Sequence, residues 1–248
     1  LSPSQSNAQT RSLIFWCCAL TGMFALGAVS EGSGFLEDLL YYTEDIVYLS
    51  QQHLALSAIS GGLAIVIGVP LGIWLSRPQR RHLAENVMQL LNIGTTVPTL
   101  AVLALSMSFL GIGAKPAIFA LCIATLLPIV RNPYVGLQEV PAYLKEAAHG
   151  MGMTPRQILF QVEIPNALFV IFAGIRTALT INVGTVPLAF LIGGGGLGEL
   201  IFTGIDLDEP YMMLAGAIPT GVLAVLVDMA IAALAFLIVP RGVNPLRD

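Results

Sequence analysis

Long apolar runs, almost uninterrupted by charge, dominate this chain and confine it to one environment. They fall at about 12–29, 54–76, 86–110, 116–137, 167–192 and 211–239. A membrane helix needs roughly 20 mostly apolar residues. In lipid a strand pair would leave backbone groups unpaired, so helices are the spanning form for runs this long. Composition points the same way: of 248 residues, 56% are hydrophobic and only 10% charged, and the mean hydropathy is +0.82. A soluble domain carries about 25% charged residues, and so few charges cannot cover a soluble surface of this size. The expected fold class is therefore all-α integral membrane, with about six transmembrane helices. A net charge of −4 leaves no footprint for nucleic acid.

The remaining charges orient the bundle. Arg77, Arg80 and Arg81 lie between the second and third runs, Lys145 and Arg156 between the fourth and fifth. Arg11 precedes the first run, and Arg241 and Arg247 follow the last. On the other side the only base is Lys115, among Glu31, Glu37, Asp38, Glu44, Asp45, Glu199, Asp206, Asp208 and Glu209. The Lys/Arg bias places both termini in the cytoplasm of a bacterial inner-membrane, multi-pass protein. An alternative for residues 11–30 is a secretory signal ending in Ala28-Val29-Ser30, which would leave the later topology unchanged.

Three regions follow. Residues 1–52 hold the first helix and an outer segment, where Phe35, Leu39, Tyr42 and Ile46 recur at helical spacing and predict a short amphipathic helix. Residues 53–239 form the transmembrane domain, and 240–248 a cytoplasmic tail. Within the domain, 138–168 breaks the apolar pattern. Pro141 stops the incoming helix, and Gly150 and Gly152 permit a sharp turn with positive φ. Thr154-Pro155 reads as an N-cap with proline at the first helical position. A second short helix, 156–163, is expected to end at Pro165. Two short helices projecting from the ends of two spans make a knob, suited to carry a rigid push from a soluble partner.

These residues carry a resemblance. Glu146-Ala147-Ala148, Gly152 four residues later, then Val162-x-Ile164-Pro165, resemble the EAA loop of ABC importer permeases, EAA-x3-G-x9-I-x-L-P. Val for Ile and Ile for Leu are the departures. Thr96-Val97-Pro98-Thr99-Leu100, Leu127 to Asn132, Gly174-Ile175-Arg176-Thr177 and Gly193 to Glu199 are similar to the osmoprotectant branch of type I (MetI-like) permeases, which moves glycine betaine, choline, carnitine and related quaternary amines. The first 50 residues show no such likeness. The resemblance implies that the loop is a coupling helix docking on a separate ATPase through Glu146, Ala147, Ala148 and Gly152, with Val162, Ile164 and Pro165 completing the motif. It implies a second permease subunit, identical or paralogous, and a periplasmic or lipid-anchored substrate-binding protein. This chain would bind no cofactor, and the ATPase would use ATP and Mg. A methionine-type amino acid is the alternative solute, and a secondary transporter a more distant alternative.

Other signals bear on chemistry. Gly193, Gly195 and Gly198 satisfy G-x-G-x-x-G, but a dinucleotide site needs a preceding strand. They read instead as a flexible outer connection or gate. No G-x-x-x-x-G-K-[ST] exists, so energy must come from another polypeptide. His53, His82 and His149 show no metal spacing and read as boundary or loop residues. Charges inside spans are costly and face a bundle interior; Arg131, Arg176 and Asp228 qualify, with Arg176 the candidate partner of Asp228. Thr96, Asn132, Asn182 and Thr185 complete the candidate pathway set, although such side chains also bridge helices. Quaternary amines are recognised by aromatic faces. With Trp16 and Trp74 but no aromatic cluster at mid-membrane, affinity is expected to reside in the binding protein.

Overall fold

The computed structural model describes Thr21, Gly22, 40–240, Gly242 and Val243. The run at 12–29, the Ala28-Val29-Ser30 cleavage point and residues 244–248 lie outside these, apart from Thr21 and Gly22. The chain divides into two compact units, Leu1–Glu44 and Asp45–Asp248. Among the described residues the structure is helical, without strands.

Helix α1 (Thr43–Leu75) is followed by a 3-10 turn (Pro78–Arg80), α2 (Arg81–Thr96), α3 (Thr99–Leu110) and α4 (Ala114–Gln138). Next come α5 (Ala142–Gly150), the single turn α6 (Pro155–Ile158), a π-turn (Leu159–Glu163) and α7 (Ile164–Thr185). A 3-10 segment (Val186–Ile192), α8 (Gly198–Asp206) and α9 (Pro210–Ile238) complete the order. Among the described residues four stretches are long and apolar enough to cross a membrane: α1, α4, Pro155–Ile192 and α9. The pair α2 and α3 makes a fifth if it forms one span.

That pair departs from the continuous helix expected over 86–110. Its axis bends by 99° at the junction. Proline crowds the residue before it out of the helical region, and Val97 accordingly has ψ 123°. Pro98 then opens α3, its carbonyl accepting from the Ala101 N–H at 2.8 Å. A second departure concerns 31–52. Phe35 and Leu39 lie outside the described residues, and Ile46 belongs to α1, which starts at Thr43 and has no glycine or proline before Gly61 to interrupt it.

Packing along α1 follows one stripe. Leu49, His53, Leu56, Ser60, Ala64, Gly68, Gly72 and Leu75 recur every three or four residues and are buried. The small members let neighbouring helices approach. A Cβ at Gly68 would lie 2.7 Å from Ile129 Cγ2, and one at Gly72 only 2.3 Å from the Val130 carbonyl oxygen. Leu75, Ala84 and Val130 form the core beneath this approach. At the other end Leu56, Leu103, Ala117, Leu121, Val186 and Ala189 tie α1, α3, α4 and the 3-10 segment together.

Since the obstacle at Gly72 is backbone, relaxation is limited there. Gly72→Ala is expected to destabilise the protein by about 1–3 kcal/mol, the usual penalty of overpacking. Gly62→Ala, with no atom within 4 Å of the added methyl, should be neutral or slightly stabilising. Thermal unfolding of both variants in detergent checks the contrast, and equal melting points would contradict the packing described.

Candidate functional site: the knob, the α1–α7 strut and an intramembrane ion pair

The expected knob is present, and its turn has a specific cause. After α5 the chain reverses at Gly152, φ +77°. The Met153 N–H donates to the Ala148 carbonyl at 3.1 Å, and the Gly152 N–H to that of His149 at 2.9 Å. This is a Schellman closure, which requires the left-handed conformation that glycine adopts without strain. Gly150 stays within the helix and carries no positive φ. Thr154 then caps α6 reciprocally: its hydroxyl accepts from the Gln157 N–H at 3.4 Å, and Gln157 Oε1 accepts from the Thr154 N–H at 2.8 Å.

The second knob helix does not stop at Pro165 as expected. It continues through the π-turn into α7, making Pro155–Ile192 one stretch. Pro165 falls in the first turn of α7, where a missing N–H costs least. Asn166 Nδ2 donates to the Val162 carbonyl at 2.7 Å, covering a backbone acceptor beside the irregularity.

The knob's inner surface is held firmly. Leu144, Leu159 and Ile164 pack on Leu137, Val140, Ala167 and Ile171, alongside Val69 and Ile73 of α1. Arg77, just past α1, donates from Nη1 to Glu163 Oε2 at 2.7 Å, and Ser76 Oγ accepts from its Nη2 at 2.9 Å. Ala148 is buried, so it serves this inward packing and does not present surface, unlike the docking role its motif implies. Glu146, Ala147 and Gly152 are exposed. Tyr143, Met151 and Phe160 are exposed as well, at 68%, 75% and 66%.

At the opposite end of α1, Gln52 and His53 hold the glycine-rich turn and the end of α7. Pro187 has no N–H, and so removes the donor that a regular helix would aim at the Val183 carbonyl. His53 Nε2 lies 2.9 Å from that oxygen. A carbonyl only accepts, so Nε2 carries the proton, and the buried Nδ1 is left without a partner. Gln52 Oε1 accepts from the Gly196 N–H at 3.1 Å. His53, read from sequence as a boundary residue, is fully buried. Its place in the stripe Leu49, His53, Leu56, Ser60 was the available signal.

The glycine turn is tightly packed rather than loose. Gly193, Gly195 and Gly196 take φ of +75°, +79° and +88°. A Cβ at Gly198 would fall 2.0 Å from the Pro187 carbonyl oxygen. The Gly113 N–H donates to the Ile192 carbonyl at 2.8 Å, joining the turn to the start of α4.

The candidate pathway residues separate into two groups. Asn182 is fully buried and pairs with Ser60, Nδ2 donating to Oγ at 3.1 Å, so it bridges α1 and α7. Asn132 Nδ2 donates to the Pro128 carbonyl at 2.8 Å, and its side chain fills the space over Gly174. Thr96 and Thr185 bond to carbonyls of their own helices, at 2.7 Å to Ile93 and 2.7 Å to Ile181. Arg131 lines a shallow cavity with Leu127, Pro128, Asn132 and Val135. Arg176 and Asp228, expected as partners, form a two-pronged pair: Nε to Oδ1 and Nη2 to Oδ2, both 2.5 Å. They line a cavity of about 480 Å³ with Phe169, Phe172 and Phe236. The phenylalanines come from two helices more than 60 positions apart in the chain. Among the described residues no cluster of His, Cys, Asp or Glu is arranged to hold a metal ion.

The described residues form a helical bundle with a knob at one end and a packed glycine turn at the other. Residues 68–241 match the family of binding-protein-dependent transport system inner membrane components, and the chain belongs to that family. It is 53% identical over 197 residues to the osmoprotectant import permease protein OsmY of Salmonella typhimurium, covering 79% of this chain and 84% of that one. It is 42% identical over 197 residues to the carnitine transport permease protein OpuCB of Listeria monocytogenes, covering 79% and 89%. Among solved structures it is similar to an inward-facing MetNI methionine ABC transporter chain, with TM-score 0.70, 26% identity and coverage of 80% and 96%.

The bond between His53 and Val183 predicts a compensating pair of mutations. His53→Leu should cost about 1–3 kcal/mol, the penalty of a buried unsatisfied acceptor. Adding Pro187→Ala supplies an N–H to the same carbonyl and should recover part of that loss. Thermal melts of the two single variants and the double variant test this; strictly additive losses would contradict it.

Proposed function

We propose that this chain is the channel-forming permease of an ATP-driven importer for small osmoprotectants bearing a quaternary amine, such as glycine betaine, choline or carnitine. Relatives named for osmoprotectant and carnitine import support the solute class. They favour it over a methionine-type solute, which rests on a 26% identical structure.

The observation that carries the coupling mechanism is the knob. Its inner face and the ion pair between Arg77 and Glu163 fix it to the ends of α1, α4 and α7, while Tyr143, Met151 and Phe160 stand exposed. Exposed aromatic and Met side chains are enriched at protein interfaces. A separate ATPase, using ATP and Mg, docks there, with Glu146, Ala147 and Gly152 at the contact and Ala148, Val162, Ile164 and Pro165 shaping the knob behind them. The Lys/Arg bias puts this end and both termini in the cytoplasm. Two permease subunits pack about a two-fold axis. A binding protein delivers solute at the opposite face, near Gly193, Gly195 and Gly198. Closure of the ATPases pushes the knobs and alternates access to the pathway; no covalent chemistry belongs to this chain.

Uptake of labelled glycine betaine and carnitine into proteoliposomes holding the permease, its ATPase and its binding protein tests the reading. Wild type should accumulate solute only with ATP. Ala147→Arg and Glu146→Lys, both on the exposed knob surface, should lower uptake tenfold or more and reduce recovery of the ATPase with the permease. ATP-independent uptake by wild type would point to a secondary transporter. Full uptake by both variants would remove the knob from the coupling mechanism.

A further inference from the structure

Ionised groups inside a membrane are costly, and they persist where they face a partner or a water-filled cavity. Arg176 and Asp228 face each other and also line a cavity. They neutralise each other, yet 47% of the Arg176 side chain and 28% of the Asp228 side chain remain exposed. Their open side is the cavity between α7 and α9. A pair serving only to pin two helices together would be expected to be enclosed, whereas this one opens onto a space within the roughly 300–1,000 Å³ of small-molecule sites.

The walls of that space carry three chemistries. Asp228 offers an anion, with Thr180 Oγ1 donating to its Oδ1 at 3.3 Å. Arg176 offers a planar cationic fork suited to a carboxylate. Phe169, Phe172 and Phe236 offer aromatic surface, which attracts cations too bulky to hydrogen-bond. A cation such as choline would meet Asp228 and the rings but leave Arg176 unused, and a simple anion would meet Arg176 but face Asp228. A zwitterion, with a carboxylate at one end and a quaternary ammonium at the other, satisfies both charges and the rings together.

We propose that the cavity lined by Arg176, Asp228, Thr180, Phe169, Phe172 and Phe236 is a transient binding site for a zwitterionic quaternary amine on its way through the permease. The solute's carboxylate engages Arg176, and its ammonium lies against Asp228 and the phenylalanines, loosening the resting ion pair. On departure the pair closes again, so neither charge is left uncompensated in the membrane. The site rests on the importer reading given above and adds to it where and how the permease contacts the solute.

The test uses the complete complex in proteoliposomes and the double variant Arg176→Leu/Asp228→Leu, which removes both charges and strands neither. Phe172→Leu serves as a second, uncharged probe. Initial uptake of labelled glycine betaine and carnitine is measured beside ATP hydrolysis stimulated by the loaded binding protein. The double variant is expected to lose tenfold or more of uptake while stimulated hydrolysis stays within twofold of wild type. Phe172→Leu is expected to raise the KM for uptake at least threefold. Uptake by the double variant within twofold of wild type would overturn the site while leaving the importer reading intact. Parallel loss of assembly and hydrolysis would also overturn it, by making the pair a helix clamp. Absence of any quaternary-amine uptake by wild type would instead strike at the importer reading itself.

Discussion

In lipid, a backbone carbonyl without a donor has no water to turn to, and this constraint organises the whole bundle. The chain is rich in prolines, 15 in all, and each one inside a helix removes a donor. At Pro187 the structure answers with a local device. His53 reaches across from α1 to the Val183 carbonyl opposite Pro187. Asn166 and Asn132 donate instead to carbonyls four residues back on their own helices, those of Val162 and Pro128. At Pro98 the helix simply breaks, and the bend separates α2 from α3.

Specific contacts join α1 to α7 along their length. Near the knob, Arg77 and Glu163 link the end of α1 to the π-turn from which α7 springs. Midway, Ser60 and Asn182 pair, and a Cβ at Gly61 would lie 2.2 Å from Leu179 Cδ2. At the far end His53 and Gln52 hold Val183 and Gly196. Every link is a specific contact between buried or half-buried groups. Joined near the knob, midway and at the far end, α1 and α7 are expected to move as one body.

Much of this was legible in the sequence. The apolar runs placed all the described spans, because length and hydropathy respond to lipid directly. The loop at 138–168 was readable to the residue at Gly152 and Thr154, since turn and cap chemistry are local. Pairing of Arg176 with Asp228 followed from the cost of charge in lipid. What escaped were facts set by neighbours. Nothing near Pro165 signals that a π-turn will precede it and the helix will continue through it. The apolar run at 86–110 hides a bend because hydropathy is blind to direction. His53 and the three phenylalanines around the ion pair acquire their surroundings from helices far away in sequence, and one chain read in one dimension does not place them.

The central claim, that α1 and α7 move as one body, is tested most directly by locking them together. In a background with Cys17, Cys18 and Cys122 replaced by alanine, cysteines at Ser60 and Asn182 would be joined by oxidation or a short bifunctional reagent. ATP-driven solute uptake would then be compared before and after cross-linking. If α1 and α7 form one strut, uptake persists at the level of the uncross-linked protein. Loss of uptake on cross-linking, restored by reduction, would show that the two helices must slide past each other and would contradict the account.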